Sequence, residues 1–220
     1  MEIANLRNNE VFPDLLHLSY HHVADLRYWT TRDGIVFDPR KHWCFFGEVT
    51  AETFNKRLRI QVKDRSGAST PVDFQTVDHG LGFIRRGEMK VGATVAILYA
   101  EKFVFEEHAV GIRLLGVETV KVIPASMDEL MQMSDRIQQY ATGKVGERIC
   151  HNCDRKADNM LRCGACNLFF YCNKKCQMTA WFEKSHKKDC KLLQDSDLRS
   201  LLFLDWDKFD TFHQFCTPAI

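Results

Sequence analysis

A chain of 220 residues has room for one domain of ordinary size and a small second module, at about 100 to 200 residues per domain. With 45% hydrophobic and 27% charged residues and a formal net charge of +1, it has the composition of a folded globular protein and no basic excess that would draw it to nucleic acid. The balance is uneven: residues 1–140 sum to −2 and residues 141–220 to +3.

Residues 1–41 form an N-terminal extension without sustained period, in which Pro13, Pro39, His17, His21 and His22 are scattered. The His21–His22 pair lacks further ligands at a chelating spacing and reads as a structural or surface feature, not a metal site. From His42 the pattern turns to strands. Residues 43–49 are rich in aromatics, and 57–64 alternate strictly, with Leu58, Ile60 and Val62 on one face and Arg57, Arg59, Gln61 and Lys63 on the other. Arg65-Ser66-Gly67-Ala68 turns the chain into a second strand carrying Val72 and Phe74, so a hairpin is expected. Residues 77–90 are irregular and hold three glycines. Residues 93–100 are nearly all apolar and read as a central strand; extended segments follow at 102–106, 111–115 and 117–123.

Five or more short strands with regular turn signals predict a small antiparallel barrel or sandwich over residues 42–143. The irregular connection after the third strand, and Lys90-Val91-Gly92 before the fourth, resemble the order of an OB-fold. Such barrels stack bases on aromatic side chains along a basic groove, for which Arg57, Arg59, Lys63, Arg85 and Arg86 are candidates. The competing expectation is a solvated strand face whose arginines pair across the hairpin with Asp73 or its neighbours, and the net −2 favours it.

Pro124 then stops the last strand, and Ser126 with Glu129 makes a capping box for a helix at about 126–140. Leu130, Met131 and Ile137 form its apolar stripe, expected to pack on the barrel. Gly143 and Gly146 flank the segment that follows and place the domain boundary there.

The next forty-one residues, 150–190, hold seven of the nine cysteines. They read Cys150-x2-Cys153, Cys163-x2-Cys166, Cys172-x3-Cys176 and His186-x3-Cys190. In Cys-x2-Cys a tight turn brings two thiolates to one ion, while ligands at i and i+4 stand one above the other on a helix face. Zn2+ takes four N/S ligands in a closed tetrahedral site, so eight ligands imply two ions and no open, catalytic position. Spacing alone allows either consecutive or interleaved pairing of the four chelates. Lys+Arg outnumber Asp+Glu by 9 to 4 over residues 150–191, partly neutralising the thiolates. A disulfide framework is the other use of such cysteines, but it suits secreted chains. Residues 1–10 lack the apolar core of a signal peptide, and no run approaches the ~20 apolar residues of a membrane span, so cytoplasm or nucleus is expected.

The run Tyr171-Cys172-Asn173-Lys174-Lys175-Cys176-Gln177, followed by Trp181, His186 and Cys190, resembles a MYND-type zinc finger. The resemblance implies interleaved sites, Cys150, Cys153, Cys172 and Cys176 on one zinc and Cys163, Cys166, His186 and Cys190 on the other. It also implies a protein-interaction module that takes short proline-containing peptides of the Pro-x-Leu-x-Pro kind, with the contacting residues falling on Gln177 and Trp181. These two lie four apart on one helix face, where an indole offers a flat surface to proline and an amide can bond an extended backbone. Phe169 and Tyr171, just before the chelate, are expected to form the strand edge on which the peptide adds.

Beyond the finger, residues 195–216 are expected to be a helical segment. Ser196 or Asp197 caps it, Leu198, Leu201 and Leu202 line it, and Phe203, Trp206, Phe209, Phe212 and Phe215 recur every third residue. Asp205, Asp207 and Asp210 between the rings can mark a partner-docking segment, but five exposed aromatics would be an aggregation hazard, so the expectation is that the segment folds back on the barrel or finger. Cys44 and Cys216 read as core thiols. The whole is α+β, an OB-like barrel with a two-zinc finger and a C-terminal helix. The expected function is a regulatory or scaffold protein, the alternative a nucleic-acid-binding barrel with a partner-recruiting finger. MYND fingers often accompany SET methyltransferase domains, but no segment here resembles the Asn-His-x-x-Cys motif of those domains, and no enzyme is expected.

Overall fold

The structure, a computed structural model, describes residues 3–31, 33–35, 37–141 and 147–216. The boundary expected at Gly143 and Gly146 lies outside the described residues. The chain divides into two compact units, one of Asn8–Met127 with Asp205–Ile220, the other of Met1–Arg7 with Asp128–Leu204.

In the first unit a small hairpin, β1 (Trp29–Thr31) with β2 (Phe37–Pro39), precedes the main sheet. That sheet is built from β3 (Cys44–Asn55), β4 (Arg57–Lys63), β5 (Ser69–Phe74), β6 (Thr94–Leu98), β7 (Lys102–Val104), β8 (Val110–Leu114) and β9 (Val120–Ile123). The stretch taken as irregular contains a short helix, α1 (Leu81–Arg85). The alternation in β4 is the pattern read from the sequence: Leu58, Ile60 and Val62 are at most 1% exposed. Asp64 closes the β4–β5 turn, its Oδ1 accepting from the N–H groups of Ser66 and Ala68 at 2.9 Å each, while Gly67 takes φ +90°. Phe45, Val49, Val72, Phe74, Val95, Ile97 and Ile112 complete the centre of the core, each side chain contributing about 1.5 to 3 kcal/mol by burial. At Gly47 a Cβ would come within 2.8 Å of Val62, so β3 and β4 need glycine there.

The strand order is β7-β8-β5-β4-β3-β6-β9, OB-like but open, which corrects the expected antiparallel barrel in two ways. β8 runs parallel to β5, with Val72 opposite Ile112 and Phe74 opposite Leu114. β8 and β9 are the two halves of one stretch, 110–123, broken by a 3-10 turn at Val117–Thr119; the first half pairs with β5, the second with β6, and the ladder between them is not closed.

Residues 205–216 cross this unit as an irregular strap. The rings of Trp206 and Phe12 meet edge-on at 4.6 Å, those of Phe209 and His42 lie 5.0 Å apart, and Phe215 donates its N–H to the Glu118 carbonyl at 2.8 Å. Trp206 and Phe215 are buried, so the fold-back is present, but the helix expected over 195–216 is confined to Ser196–Phe203. A spacing of three does not keep rings on one face of a 3.6-residue helix, and here each ring finds its own partner.

Besides Met1–Arg7, the second unit holds all but the first residue of α2 (Met127–Tyr140), and β10 (Arg148–Ile149), β11 (Lys156–Ala157), β12 (Leu161–Arg162), β13 (Phe170–Tyr171), α3 (Lys174–Glu183), α4 (His186–Leu192) and α5 (Ser196–Phe203). From Asp128 onward α2 belongs to this unit. One face of α2 explains why. Glu129 accepts from Lys188 Nζ at 3.0 Å, Arg136 grips Asp189 with two bonds of 2.7 and 2.8 Å, and Tyr140 donates to Asp154 at 2.8 Å. The cap of α5 is Asp195, one residue earlier than expected, its carboxylate accepting from the N–H groups of Asp197 and Leu198. Leu198, Leu201 and Leu202 are buried as the pattern implies.

Candidate metal centre

Two turns and two helices deliver the eight ligands. Cys150 and Cys163 each accept at their carbonyl from the N–H four residues on, Asp154 at 3.0 Å and Asn167 at 3.0 Å, and both of those residues take left-handed φ, +60° and +57°. Each Cys-x2-Cys is thus a knuckle that curls two thiols toward one point. His186 and Cys190 lie on α4 one turn apart, as expected. Cys172 does not share a helix face with Cys176: Asn173 caps α3, its side chain accepting from Cys176 N–H at 2.9 Å, so Cys172 enters from the approach to the helix.

Among the described residues the Cys/His/Asp/Glu groups able to hold a metal are these two. The ligand atoms of Cys150, Cys153, Cys172 and Cys176 lie within 4.8 Å of one another, and so do those of Cys163, Cys166, His186 and Cys190. The interleaved pairing is therefore the one the fold makes. A tetrahedron of about 2.3 Å Zn–S bonds has edges of about 3.8 Å. Cys153 and Cys172 Sγ are 3.6 Å apart, Cys163 and Cys190 Sγ 3.8 Å, and His186 Nε2 is 3.4 Å from Cys163 Sγ and 4.0 Å from Cys166 Sγ. Both donor sets fit Zn2+.

The charge pattern says the same. Burial works against ionising Cys150, yet the N–H groups of Cys153, Cys172 and Asn152 outweigh it and bring its pKa down to about 7. Burial and the thiols of Cys153 and Cys150 push Cys172 up to about 12. In the second set Cys163 is lowered, burial being overcome by the Cys166 and Ala165 N–H groups. Burial and the neighbouring Cys166 and Cys163 push Cys190 up to about 12. In each cluster a thiol whose ionisation is eased sits against one whose ionisation is opposed, Cys150 against Cys172 and Cys163 against Cys190; a dication removes the conflict. Burial pushes the His186 imidazole down to about 4, which keeps it neutral, the form that ligates. When bound, zinc supplies cross-links between chain segments, and with four protein ligands on each ion it leaves no position for a substrate.

Residues 150–190 match the family model for the MYND finger. This stretch is a MYND-type zinc finger, a zinc-binding protein-interaction module. The chain is similar over 46 residues, at 35% identity, to human "Histone-lysine N-methyltransferase SMYD1", covering 21% of this chain and 9% of that one. Over 55 residues, at 38% identity, it is similar to "SET domain and MYND-type zinc finger protein 6" of Schizosaccharomyces pombe, covering 25% and 11%. The matches thus span about a tenth of these relatives' lengths, and they fall on the finger, not on the SET domain. Among solved structures, the S. pombe Stn1-ten1 complex gives a TM-score of 0.33 at 19% identity, covering 59% of this chain and 97% of that one. S. pombe Pot1pC bound to ssDNA gives 0.31 at 11% identity, covering 49% and 96%.

The residues expected to hold a peptide separate into two groups. Gln177 and Trp181 are half-buried on α3, with the Trp181 ring 5.7 Å from that of His186. Phe169 and Tyr171 are corrected: both are fully buried. β13 is also paired on both sides, to β12 and through a bridge between Phe170 and Cys150, so it offers no edge. A zinc module has few apolar side chains, and these two supply its core. His151 adds to it, stacked on Phe169 at 4.3 Å; only its place beside Cys150 marked it in the sequence. The guanidinium groups of Arg148 and Arg162 both lie over the Phe170 ring, at 4.7 and 5.9 Å from its centre, an arrangement that sequence spacing does not reveal.

Proposed function

We propose that this chain is a non-catalytic adaptor, regulatory or scaffolding, whose finger captures a short proline-containing peptide on Gln177 and Trp181. The observation that carries this reading is the half-buried state of both side chains, one turn apart on a helix whose start is pinned by the Cys172/Cys176 chelate. A proline ring stacks on the open face of the indole, and the Gln177 amide bonds the extended backbone beside it. Leu161 in β12 is 51% exposed, and the outer side of β12 is unpaired among the described residues, so β12 replaces β13 as the strand to which a peptide would add. With all eight ligands directed at two ions, zinc here supports the fold and not a reaction. The described cysteines form no disulfide, which supports a reducing compartment, cytoplasm or nucleus. Among the described residues no helix is long and apolar enough to cross a membrane.

The nucleic-acid alternative meets an electrostatic objection. Arg57 pairs with Asp73 at 2.7 Å, Arg59 with Glu107 at 2.6 Å and Arg86 with Glu88 at 2.9 Å, so three of the five candidate cations are already matched. The test of the adaptor reading is titration of a Pro-x-Leu-x-Pro peptide into wild type, Gln177→Ala and Trp181→Ala, with zinc counted by native mass spectrometry. Retention of both zincs with at least about tenfold weaker binding supports the site, the loss a central aromatic contact carries. Loss of zinc or folding in Trp181→Ala while Gln177→Ala binds normally makes Trp181 a core residue and ends the proposal.

A further inference from the structure

The sheet is open at one place, and that place holds a cavity of about 290 Å³. Two runs of backbone line it, residues 97–101 at the end of β6 and residues 112–116 at the end of β8, with Glu118 and Thr119 from the turn that follows. β6 pairs with β9 only up to Ile97, opposite Val120, and β8 pairs with β7 only up to Ile112, opposite Lys102. Past those residues β6 runs one residue further, to Leu98, before Tyr99 takes φ +55°, and β8 two, to Leu114; on these residues each strand presents a side with no ladder partner among the described pairings, and the two sides border one gap. An extended residue fills about 3.3 Å of strand length, 4.8 Å of strand spacing and 10 Å of sheet spacing, roughly 160 Å³. The cavity therefore matches about two residues of extended chain.

The polar groups at the cavity are not symmetric in charge. Arg113 lies flat on Phe103, its guanidinium 3.9 Å from the ring centre, and its NH2 group donates to His21 Nε2 at 3.0 Å. His21 Nδ1 in turn bonds Glu101 at 2.8 Å, which engages that carboxylate and fixes the imidazole with Nε2 as acceptor. Glu118 folds back over Gly116, where any Cβ would strike its carboxyl group. Arg113 is left as the cation at this site without a carboxylate partner among the described residues, held in place by the ring beneath it and the imidazole beside it. The lining also includes Ile97, Ile112 and Leu114, apolar residues of the core; Ile112 and Leu114 flank Arg113 in β8 and lie on the opposite face of the strand from it.

We propose that this seam is a second binding site, for the last two residues of an extended peptide that ends in an apolar side chain and a free α-carboxylate. The backbone would add to the unpaired sides of β6 and β8, the terminal side chain would fill the apolar wall, and the carboxylate would meet Arg113. The site is separate from the finger and requires no proline. The occupant brings the negative charge that Arg113 lacks and the strand that the open ladder lacks.

The test uses the full zinc-loaded chain and a proline-free probe, Gly-Ser-Gly-Val-Leu carrying fluorescein at its N-terminus, as the free acid and as the C-terminal amide. Anisotropy should show saturable binding of the acid, and binding of the amide about tenfold to a hundredfold weaker, the loss of one charge-assisted hydrogen bond. Arg113→Gln should bring the acid down to the level of the amide. Hydrogen exchange should slow at 98–100 and 113–115 on adding the acid. Equal binding of acid and amide by wild type overturns the proposal, as does no binding at millimolar probe or protection confined to residues 150–190. The acid-against-amide comparison needs no variant, so an unstable Arg113→Gln protein does not blunt it.

Discussion

His186 shows how one residue ties zinc to pH. Its imidazole is neutral in the folded finger because burial lowers its pKa from 6.5 to about 4, so between those values the unfolded chain binds the extra proton. The stability this contributes is complete above about pH 6.5 and is lost as the pH falls through about 4. Zinc adds to the same sign, since a thiolate or imidazole must take a proton to release its ion. Acid titration followed by native mass spectrometry should therefore show zinc departing between those limits and none departing as the pH rises from 7 to 8. Departure already half complete at pH 7 would refute the assignment. The ligands were legible in the sequence because chelation leaves a fixed spacing; their partition between two ions was not legible from spacing, since it depends on pairings between distant segments, such as the bridge of Cys150 to Phe170 that sets the first chelate beside the third. Phe169 and Tyr171 were misplaced for a related reason. An aromatic pair beside a chelate looks the same whether it is an edge or a core, and only pairing on both sides of β13 decides.

At the scale of elements, helix α2 was visible as a helix and its partner was not. Its apolar stripe, Leu130, Met131 and Ile137, is buried, but what directs it to the finger is polar and distant in sequence: Arg136 and Asp189 are 53 residues apart. Asp189 is 2% exposed and sits on α4 between the ligands His186 and Cys190, so the ion pair braces the helix that carries them. Removing one partner of a buried pair leaves a charge without compensation, which costs about 3 kcal/mol, whereas replacing both by apolar residues often costs little. Arg136→Ala should thus lower the urea midpoint of zinc-loaded protein, read by hydrogen exchange of α4, by about 1 to 2 M. The double variant Arg136→Leu with Asp189→Leu should recover much of that loss. If the double variant is as unstable as Arg136→Ala, the buried charge is not what the single variant exposes. The sheet teaches the complementary lesson. Alternation identified β4 and an apolar run identified β6, yet nothing local told that the stretch 110–123 would divide at Val117–Thr119 and leave the ladder open.

For the whole molecule the two units differ in what sustains them. The sheet unit has a continuous core of eighteen buried apolar residues from Leu18 to Val120, together with Trp206 and Phe215 of the strap. In the finger unit, strands β10 to β13 are two residues each, and such hairpins are not stable in water by themselves. Two structural zincs contribute on the order of 10 kcal/mol each near neutral pH, as much as the net stability of an ordinary domain, so the finger unit cannot spare them. Chelation under reducing conditions should therefore split the behaviour of the chain. Hydrogen exchange should become fast across residues 147–192 while the amides of β3, β4, β5 and β6 keep their protection, and Cys163→Ser should reproduce part of the effect without chelator. The helices α2 and α5 bury apolar side chains of their own, Met133 and Ile137 in one and Leu198, Leu201 and Leu202 in the other, and should lose protection less completely. A thermal scan of the chelated protein should retain one cooperative transition, that of the sheet unit. If chelation abolishes that transition, or strips protection from β3 to β6, the sheet depends on zinc, and the division of the chain into a metal-held unit and a core-held unit is wrong.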